Sequence, residues 1–375
     1  MTTPTPSKRL LLVGGGHAHI EILRRWRLSP LPDWQLCVVS RDVEPVYSGM
    51  VPGYVAGEYR EAELSIDLLR LAASAGARLV HDSAVRIDPD ARCVALTSGE
   101  TLAYDLASLD IGSTVAGSDL PGVGEHAIAS RPIGRLIQQL ANETRRIADA
   151  NRSAQPLRVV VVGAGAAGIE LAFCLRERLL RDASAAEVCL LDTAERLLPD
   201  ASRSLARRVA AAMQQRGIRW RPGGKVRAVE QEGVQLEDGE QIAADLVLWV
   251  TGAAALPLAR VSGLPVDARG FVRIQPSLQV EGHPELFAVG DCASLPRMRR
   301  AGVYAVRAGP ILDHNLRAAA GASALRAYRP QRDFLTLLNL GDGTAIGAKW
   351  GRSFEGRWVL RLKDRIDRGF MARYA

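Results

Sequence analysis

Cysteine, lysine, aromatic residues and long apolar runs are all scarce in this chain of 375 residues. Its five cysteines (Cys37, Cys93, Cys174, Cys189 and Cys292) form neither a C-x-x-C nor a C-x-x-x-x-C pair. That excludes a zinc ribbon and a local redox dithiol, and reads as small buried hydrophobes in a reducing compartment. No apolar stretch reaches the ~18 residues that a membrane-spanning helix needs. The run Leu10–Val13, behind Lys8 and Arg9, stops at three glycines, as a buried strand does and a signal-peptide core does not. A cytoplasmic protein is expected. Only four of the 48 basic residues are lysines, an arginine bias that genome composition can produce, so the net charge of +7 by itself points to no partner. Its placement does. From Arg297 onward there are 16 Lys and Arg against 6 Asp and Glu, a net +10 that leaves −3 for the rest.

What is present is an alternation of apolar runs, glycine turns and helical stretches. The pattern predicts a strand over 10–13, a helix over 17–28 and a buried strand over 34–40, which together make one βαβ unit. Residues 44–59, punctuated by Gly and Pro, read as a loop. Residues 77–96 read as two strands turning at Asp88-Pro89-Asp90, and 106–113 as a strand ending in a glycine turn. After a helical stretch at 133–150 the pattern restarts with "PLRVVVVGAGAAGIELAFCLRERLL" (156–180), then a strand (186–192), a helix (203–216) and a strand (244–252). Two copies of strand, glycine turn, helix and strand about 150 residues apart signal two Rossmann-type domains. Further on, 286–295 is a strand and turn, 301–321 a helix containing Pro310, and 334–351 a hairpin through Gly341-Asp342-Gly343.

The second turn matches G-x-G-x-x-G in full at Gly163, Gly165 and Gly168, directly after Val159–Val162. The first glycine makes the turn, the second admits a pyrophosphate close to the backbone, and the third lets helix and strand pack, with the helix N-terminus facing the phosphates. Asp192 ends the next strand, where a carboxylate binds a ribose 2′-hydroxyl and repels a 2′-phosphate, so NADH is preferred over NADPH. Arg196, four residues on, works against that preference. The first turn, "LLLVGGGHAHIE", has Gly14 and Gly16 in place but His19 where a small residue belongs. Ser40-Arg41 stands where a carboxylate usually ends the second strand. His17 and His19, two apart on a helix, point in different directions and do not readily share a metal ion. They fit better as cover for a pyrophosphate, or His19 as packing between helix and strand.

The paired turns, Thr251-Gly252 after an apolar strand, and "FAVGDCA" (287–293) resemble the pyridine nucleotide–disulphide oxidoreductase superfamily. The resemblance implies an α/β fold with two Rossmann-type domains. The FAD-binding domain would be discontinuous (1–115 and 253–322), enclosing an NAD(H)-binding domain (116–252) and followed by a small α+β region (323–375). It assigns Gly290 and Asp291 to the flavin's ribityl chain and places Glu170 of "GIELA" near the nicotinamide. Ser40, Arg41, Val85 and Gly112 join Gly14, Gly16, His17 and His19 on the FAD side, and Gly252 joins the nucleotide side. "GGGHAHIE", "VSRDVEPVYSGMVPG", "DIGST", "GVYAVRAGP" and "LKDRIDRGFM" are similar to the flavoprotein domain fused in front of selenide, water dikinase, a relative of the type II NADH dehydrogenases.

Two departures bear on the reaction. Disulphide reductases of the superfamily carry C-x-x-x-x-C after the first βαβ unit, and residues 44–59 contain no cysteine. Type II NADH dehydrogenases carry paired glutamines on the helix after the flavin Asp, and here those positions are Val303 and Arg307. The expected activity is hydride transfer from NADH to FAD. Electrons then pass to a small-molecule acceptor, a quinone or a selenium or sulphur compound. Arg307 would stabilise the reduced flavin or lie on a solvated face. Tyr47 and Trp350 would line the flavin edge or simply pack. The alternatives are a sulphide- or selenide:quinone-type oxidoreductase acting through Cys292, and a non-catalytic flavoprotein that senses NADH. From 358, Trp358, Leu362, Ile366 and Phe370 recur four apart among Arg361, Lys363, Arg365, Arg368 and Arg373. Such a basic amphipathic helix lies in a membrane interface, here at the inner face, or docks its apolar stripe on the flavin domain. A homodimer is the expected assembly, and neither nucleic acid nor a metal is an expected partner.

Overall fold

The computed structural model describes residues 8–149, 156–182, 185–321, 323–331 and 333–375. Two parallel sheets form its centre. The first is built from β1 (Lys8–Val13), β2 (Trp34–Ser40), β3 (Arg78–His81) and β4 (Leu106–Leu109). The second follows in sequence: β5 (Ala127–Ala129), β6 (Leu157–Val162), β7 (Ala186–Leu191), β8 (Arg219–Arg221) and β9 (Leu246–Trp249). The chain then returns to the first sheet with β10 (Gln279–Val280) and β11 (His283–Ala288). Strand order is β10-β11-β4-β1-β2-β3 in the first sheet and β8-β7-β6-β9-β5 in the second. Every pair is parallel except β10 with β11. Parallel strands covered on both faces read as continuous apolar runs: Leu10–Val13 of β1, Val159–Val162 of β6 and the whole of β9 are such runs, with every side chain buried.

Each sheet feeds a helix through a glycine turn: β1 into α1 (His17–Leu28), and β6 into a second helix that begins at Ala166. Between these two, α2 (Ile133–Asp149) opens the second half, with the expected last residue, 150, outside the described ones. That second helix is α3 (Ala166–Asp182), and α4 (Gly302–Ala320) later packs on α1. The C-terminal region is a three-stranded antiparallel sheet, β12 (Thr336–Asn339), β13 (Ala345–Lys349) and β14 (Arg352–Gly356), closed by α5 (Arg357–Met371).

Four local expectations need correction. Residues 44–59 are not a loop throughout: a 3-10 turn (Ser48–Met50) runs into a helix (Val51–Val55). Pro52 sits in that helix's first turn, where its missing N–H costs nothing, and Met50, Val51, Val55 and Ala56 are buried. Residues 77–96 hold three strands: β3 joins the main sheet, while Ala84–Asp88 and Cys93–Leu96 make a separate hairpin. β14 is a strand that the sequence reading does not include, within the positively charged segment that begins at Arg297. The fourth concerns α5, whose inward face is Val359, Lys363, Asp367 and Phe370, so that of the expected stripe only Phe370 is fully buried. Trp358 (54%) and Ile366 (45%) are exposed, and Lys363, counted with the solvated arginines, is buried.

Candidate active site

In the first turn, Gly14 carries φ +101° and in the second Gly163 carries φ +116°, a region that side chains avoid, so glycine is required at both. The two copies then diverge. Val13 pairs with Leu109, and Val162 with Trp249. Hence His19, Ser108 and Asp110 of the first copy occupy the positions of Gly168, Leu248 and Val250 of the second. A Cβ at Gly168 would overlap the Gly163 carbonyl oxygen. In the first copy His19 fills that gap instead. Its Nδ1 lies 2.7 Å from the Gly14 carbonyl oxygen and its Nε2 2.9 Å from the Ser108 hydroxyl. A carbonyl only accepts, so Nδ1 carries the proton and Nε2 accepts from Ser108. Burial lowers this histidine's pKa to about 4, which keeps it neutral. His19 is therefore a hydrogen-bonded packing residue, and no group of three or more His, Cys, Asp or Glu among the described residues is placed to hold a metal.

Around this turn the structure gathers several groups that the sequence separates widely. His17 opens α1 with Nε2 enclosed and without a partner, and burial lowers its pKa to about 4. Its ring lies edge-on to Tyr47 (5.6 Å between centroids), and Tyr47 stacks on Phe370 of α5 at 4.1 Å. Asp291, in the 3-10 turn Gly290–Cys292, makes an ion pair with Arg131 (2.9 Å). The Ser113 hydroxyl, just past Gly112, donates to the same carboxylate oxygen at 3.4 Å. Gly290 lies against Asp110: a Cβ there would come within 2.5 Å of Oδ1. Ser40 is buried against Gly15 and donates to the Asp42 carbonyl at 2.6 Å, whereas Arg41 is exposed.

The second turn is open where a ligand must enter, since a Cβ at Gly165 or Gly252 would meet nothing within 4 Å. The Asp192 carboxylate accepts from the Ala164 amide of this turn and from the Ala194 amide at 2.8 Å. Arg196 is engaged with the Pro199 carbonyl.

Between the two turns lies a cluster that sequence reasoning found only in part. Glu170, on the first turns of α3, accepts from the Asn339 amide at 2.9 Å, and the Asn339 side chain donates to Glu58 at 2.7 Å. Lys363 reaches in from α5, donating to the Gly49 carbonyl at 2.6 Å and to Asp367 at 2.9 Å. Tyr47 donates to Asp367. Enclosure pushes the Glu170 carboxyl up to about 7 against the opposing effect of Lys363, and raises Glu58 and Asp367 as well. Burial would lower Lys363, but Glu170 and Asp367 hold its pKa above the ordinary value. Glu58, Asn339, Lys363 and Asp367 were missed. For the last two the signal was an i,i+4 Lys–Asp pair in line with Val359, one row over from the expected stripe and on the same face as its Phe370.

Three expected residues do not join this site. Arg307 is on the solvated face of α4. Trp350 is 81% exposed, at a positive-φ turn between β13 and β14. Val85 is 47% exposed, where the Ala84–Asp88 strand shifts register against its partner.

The arrangement offers room for a flavin and a pyridine nucleotide. The unpartnered His17 Nε2 at the first turn and the open backbone at Gly165 and Gly252 in the second are the features that accommodate them. A family model described as pyridine nucleotide-disulphide oxidoreductase matches residues 8–309. The chain is 26% identical over 360 residues to the NADH dehydrogenase-like protein YutJ of Bacillus subtilis, covering 95% of this chain and 97% of that protein. It is 25% identical over 320 residues to the type II NADH:quinone oxidoreductase Ndh of Mycobacterium tuberculosis, covering 78% and 68%. Among solved structures, the sulfide:quinone oxidoreductase of Aquifex aeolicus superposes with a TM-score of 0.84 at 16% identity, over 98% of this chain and 91% of that one. Plasmodium falciparum NDH2, solved with NADH, superposes with a TM-score of 0.82 at 12% identity, over 98% and 97%.

Proposed function

Because the chain belongs to the pyridine nucleotide–disulphide oxidoreductase family, we propose that it is an FAD-dependent NADH oxidoreductase of the type II NADH dehydrogenase kind, with a quinone as acceptor. The observation that carries this reading is the pair of glycine turns, each at the N-terminus of a helix, with Glu170 and the Lys363 cluster between them. Residues 1–115 and 253–322 then form the flavin half and 116–252 the nucleotide half, with 323–375 closing the site. A bound flavin would supply a hydride acceptor that can pass its electrons on to a second substrate. The chain's own residues position the partners and manage charge. Gly14, Gly16, His17 and the α1 N-terminus hold the diphosphate, Gly112, Gly290 and Asp291 the ribityl chain, and Gly163–Gly168 with Gly252 the pyridine nucleotide. Asp192 selects the ribose that lacks a 2′-phosphate. Glu170, Tyr47 and Lys363 border the reacting rings, and Lys363 offsets negative charge that accumulates there on reduction.

Thiol chemistry is the weaker reading. Cys292 is buried, donates to the Val289 carbonyl at 3.1 Å, and has its thiol pushed up to about 12 by burial, so little thiolate forms at neutral pH. The exposed side of α5 supports contact with an anionic membrane surface. Trp358 and Ile366 stand there beside Arg357, Arg361 and Arg365 while the opposite face stays docked. No helix among the described residues is long and apolar enough to cross a membrane. The test is an anaerobic stopped-flow mix of the yellow protein with NADH and, separately, NADPH. Rapid bleaching with NADH, slower with NADPH, followed by repeated reoxidation by a quinone, is expected. A flavin that stays oxidised would overturn the reading, and one slow reduction to a long-lived complex would favour an NADH sensor.

A further inference from the structure

The first glycine turn holds a carboxyl group at the helix terminus that should receive a diphosphate. Asp110 follows β4, and its Oδ2 accepts from the Ala18 amide at 2.9 Å and, more weakly, from the His19 amide at 3.4 Å. Both donors belong to the first turn of α1. The carboxyl has no room to withdraw, because Gly16 and Gly290 press on it from two sides and a Cβ on either would collide with it. The second copy has Val250 at this position, so the acid is not a requirement of the fold. A second observation marks the same terminus as a ligand site: the enclosed His17 Nε2 has no partner within the protein.

The groups facing Asp110 leave it without a counter-charge. From α1 come His17 and His19, both neutral above about pH 4. From the turn after β11 come Asp291, a like charge already in an ion pair with Arg131, and Cys292, a buried neutral thiol. β4 contributes Ser108, and Ala305 of α4 lies against Gly290 beside the carboxyl. Burial, together with the charge of Asp291 and against the two amide hydrogen bonds, pushes the Asp110 carboxyl up to about 7.

Building on the flavin reading of the first turn, we propose that Asp110 is a proton-linked gate for the flavin dinucleotide. The turn accepts the diphosphate while Asp110 is a neutral acid, and ionisation of Asp110 weakens that binding. A diphosphate diester keeps both negative charges throughout the neutral range, so the titrating group belongs to the protein. The diphosphate raises the acid's pKa further in the complex, and binding therefore takes up a proton. The sign follows. Below the pKa of the apoprotein the acid is already neutral and affinity is flat. Above it, affinity falls about tenfold per pH unit until the pKa of the complex is reached.

The test uses the full chain stripped of flavin and titrated with FAD between pH 6 and pH 8.5. Flavin fluorescence gives the affinity, and calorimetry at pH 8 in buffers of different ionisation enthalpy gives the proton count. For the wild type, affinity is expected to be level near pH 6 and to fall about tenfold per unit above pH 7, with uptake approaching one proton. Asp110→Asn should bind at the pH 6 strength across the range with no uptake, and Asp110→Val, patterned on the second copy, should lose the slope as well. A level wild-type affinity, or an Asp110→Asn protein that keeps the slope, would overturn the gate and leave the flavin reading intact. FAD that fails to bind at every pH would overturn both. The wild-type slope and proton count decide the matter even if neither variant folds.

Discussion

Lys363 offers the sharpest test of how the C-terminal helix closes the site. Replacing it with Met keeps most of the aliphatic stem and removes the charge. The Gly49 carbonyl and Asp367 lose their donor, and Glu170 loses its opposing charge. Removing one partner of a buried pair costs roughly 3–5 kcal/mol, because the other is left uncompensated. The acids that Lys363 serves make this cost depend on pH. A carboxyl whose folded pKa lies above its unfolded value contributes no penalty below the unfolded pKa. The penalty builds as pH rises towards the folded value and is constant beyond it. Glu170, Glu58 and Asp367 are all raised even with Lys363 present, and without it they rise further. Holding one glutamic acid neutral costs about 1.4 kcal/mol for each pH unit above its unfolded pKa. The wild type bears this cost as well up to about pH 7, where its own Glu170 ionises, so for this residue variant and wild type separate only above that pH.

Lys363→Met should therefore be destabilised by roughly 3–5 kcal/mol at pH 8 and by about 2 kcal/mol at pH 5, where the lost hydrogen bonds dominate. Urea unfolding of variant and wild type at pH 5, 6.5 and 8, followed by tryptophan fluorescence and flavin release, measures the difference. A second replacement, Asp367→Leu, should recover part of the loss at pH 8. The reasoning fails if the deficit at pH 8 is below about 1 kcal/mol. It fails equally if the deficit is the same at all three pH values, since the carboxyls would then not be sensing the lysine.

Gly165→Val has room at the backbone, so the protein should fold and retain flavin while NADH bleaches it at least 100-fold more slowly. Normal reduction by NADH would place the pyridine nucleotide elsewhere. His19→Gly, copying Gly168, strips the Gly14 carbonyl and the Ser108 hydroxyl of their partner and opens a cavity. A loss of about 2–4 kcal/mol in urea unfolding is expected, and wild-type stability would mean that the imidazole is not a packing element.

The parts of this molecule that follow local rules could be read from the chain. β1, α1 and β2 match the expected ranges to within two residues, because apolar runs, glycine turns and helical spacing are all local signals. The helix at Val51–Val55 escaped because Pro and Gly suggest breaks, although proline in a first helical turn breaks nothing. The site is harder to read because its chemistry is assembled across the chain. Lys363 resembles any other cation in "LRLKDRID" until the fold turns it toward Glu170 and the Gly49 carbonyl, and its spacing to Asp367 is a slight local hint in a segment full of charge. His19 makes the same point from the other side. As a departure from the glycine pattern it looks like a defect in a phosphate-binding turn. Its explanation lies 89 residues away at Ser108, with Asp110 two residues further on at the neighbouring amides. The glycine pattern of the second copy and the His19–Ser108–Asp110 set of the first are two solutions to packing a helix on a strand. The first leaves an ionisable group under the helix terminus, and a turn that carries such a group gains a dependence on pH that an all-glycine turn lacks.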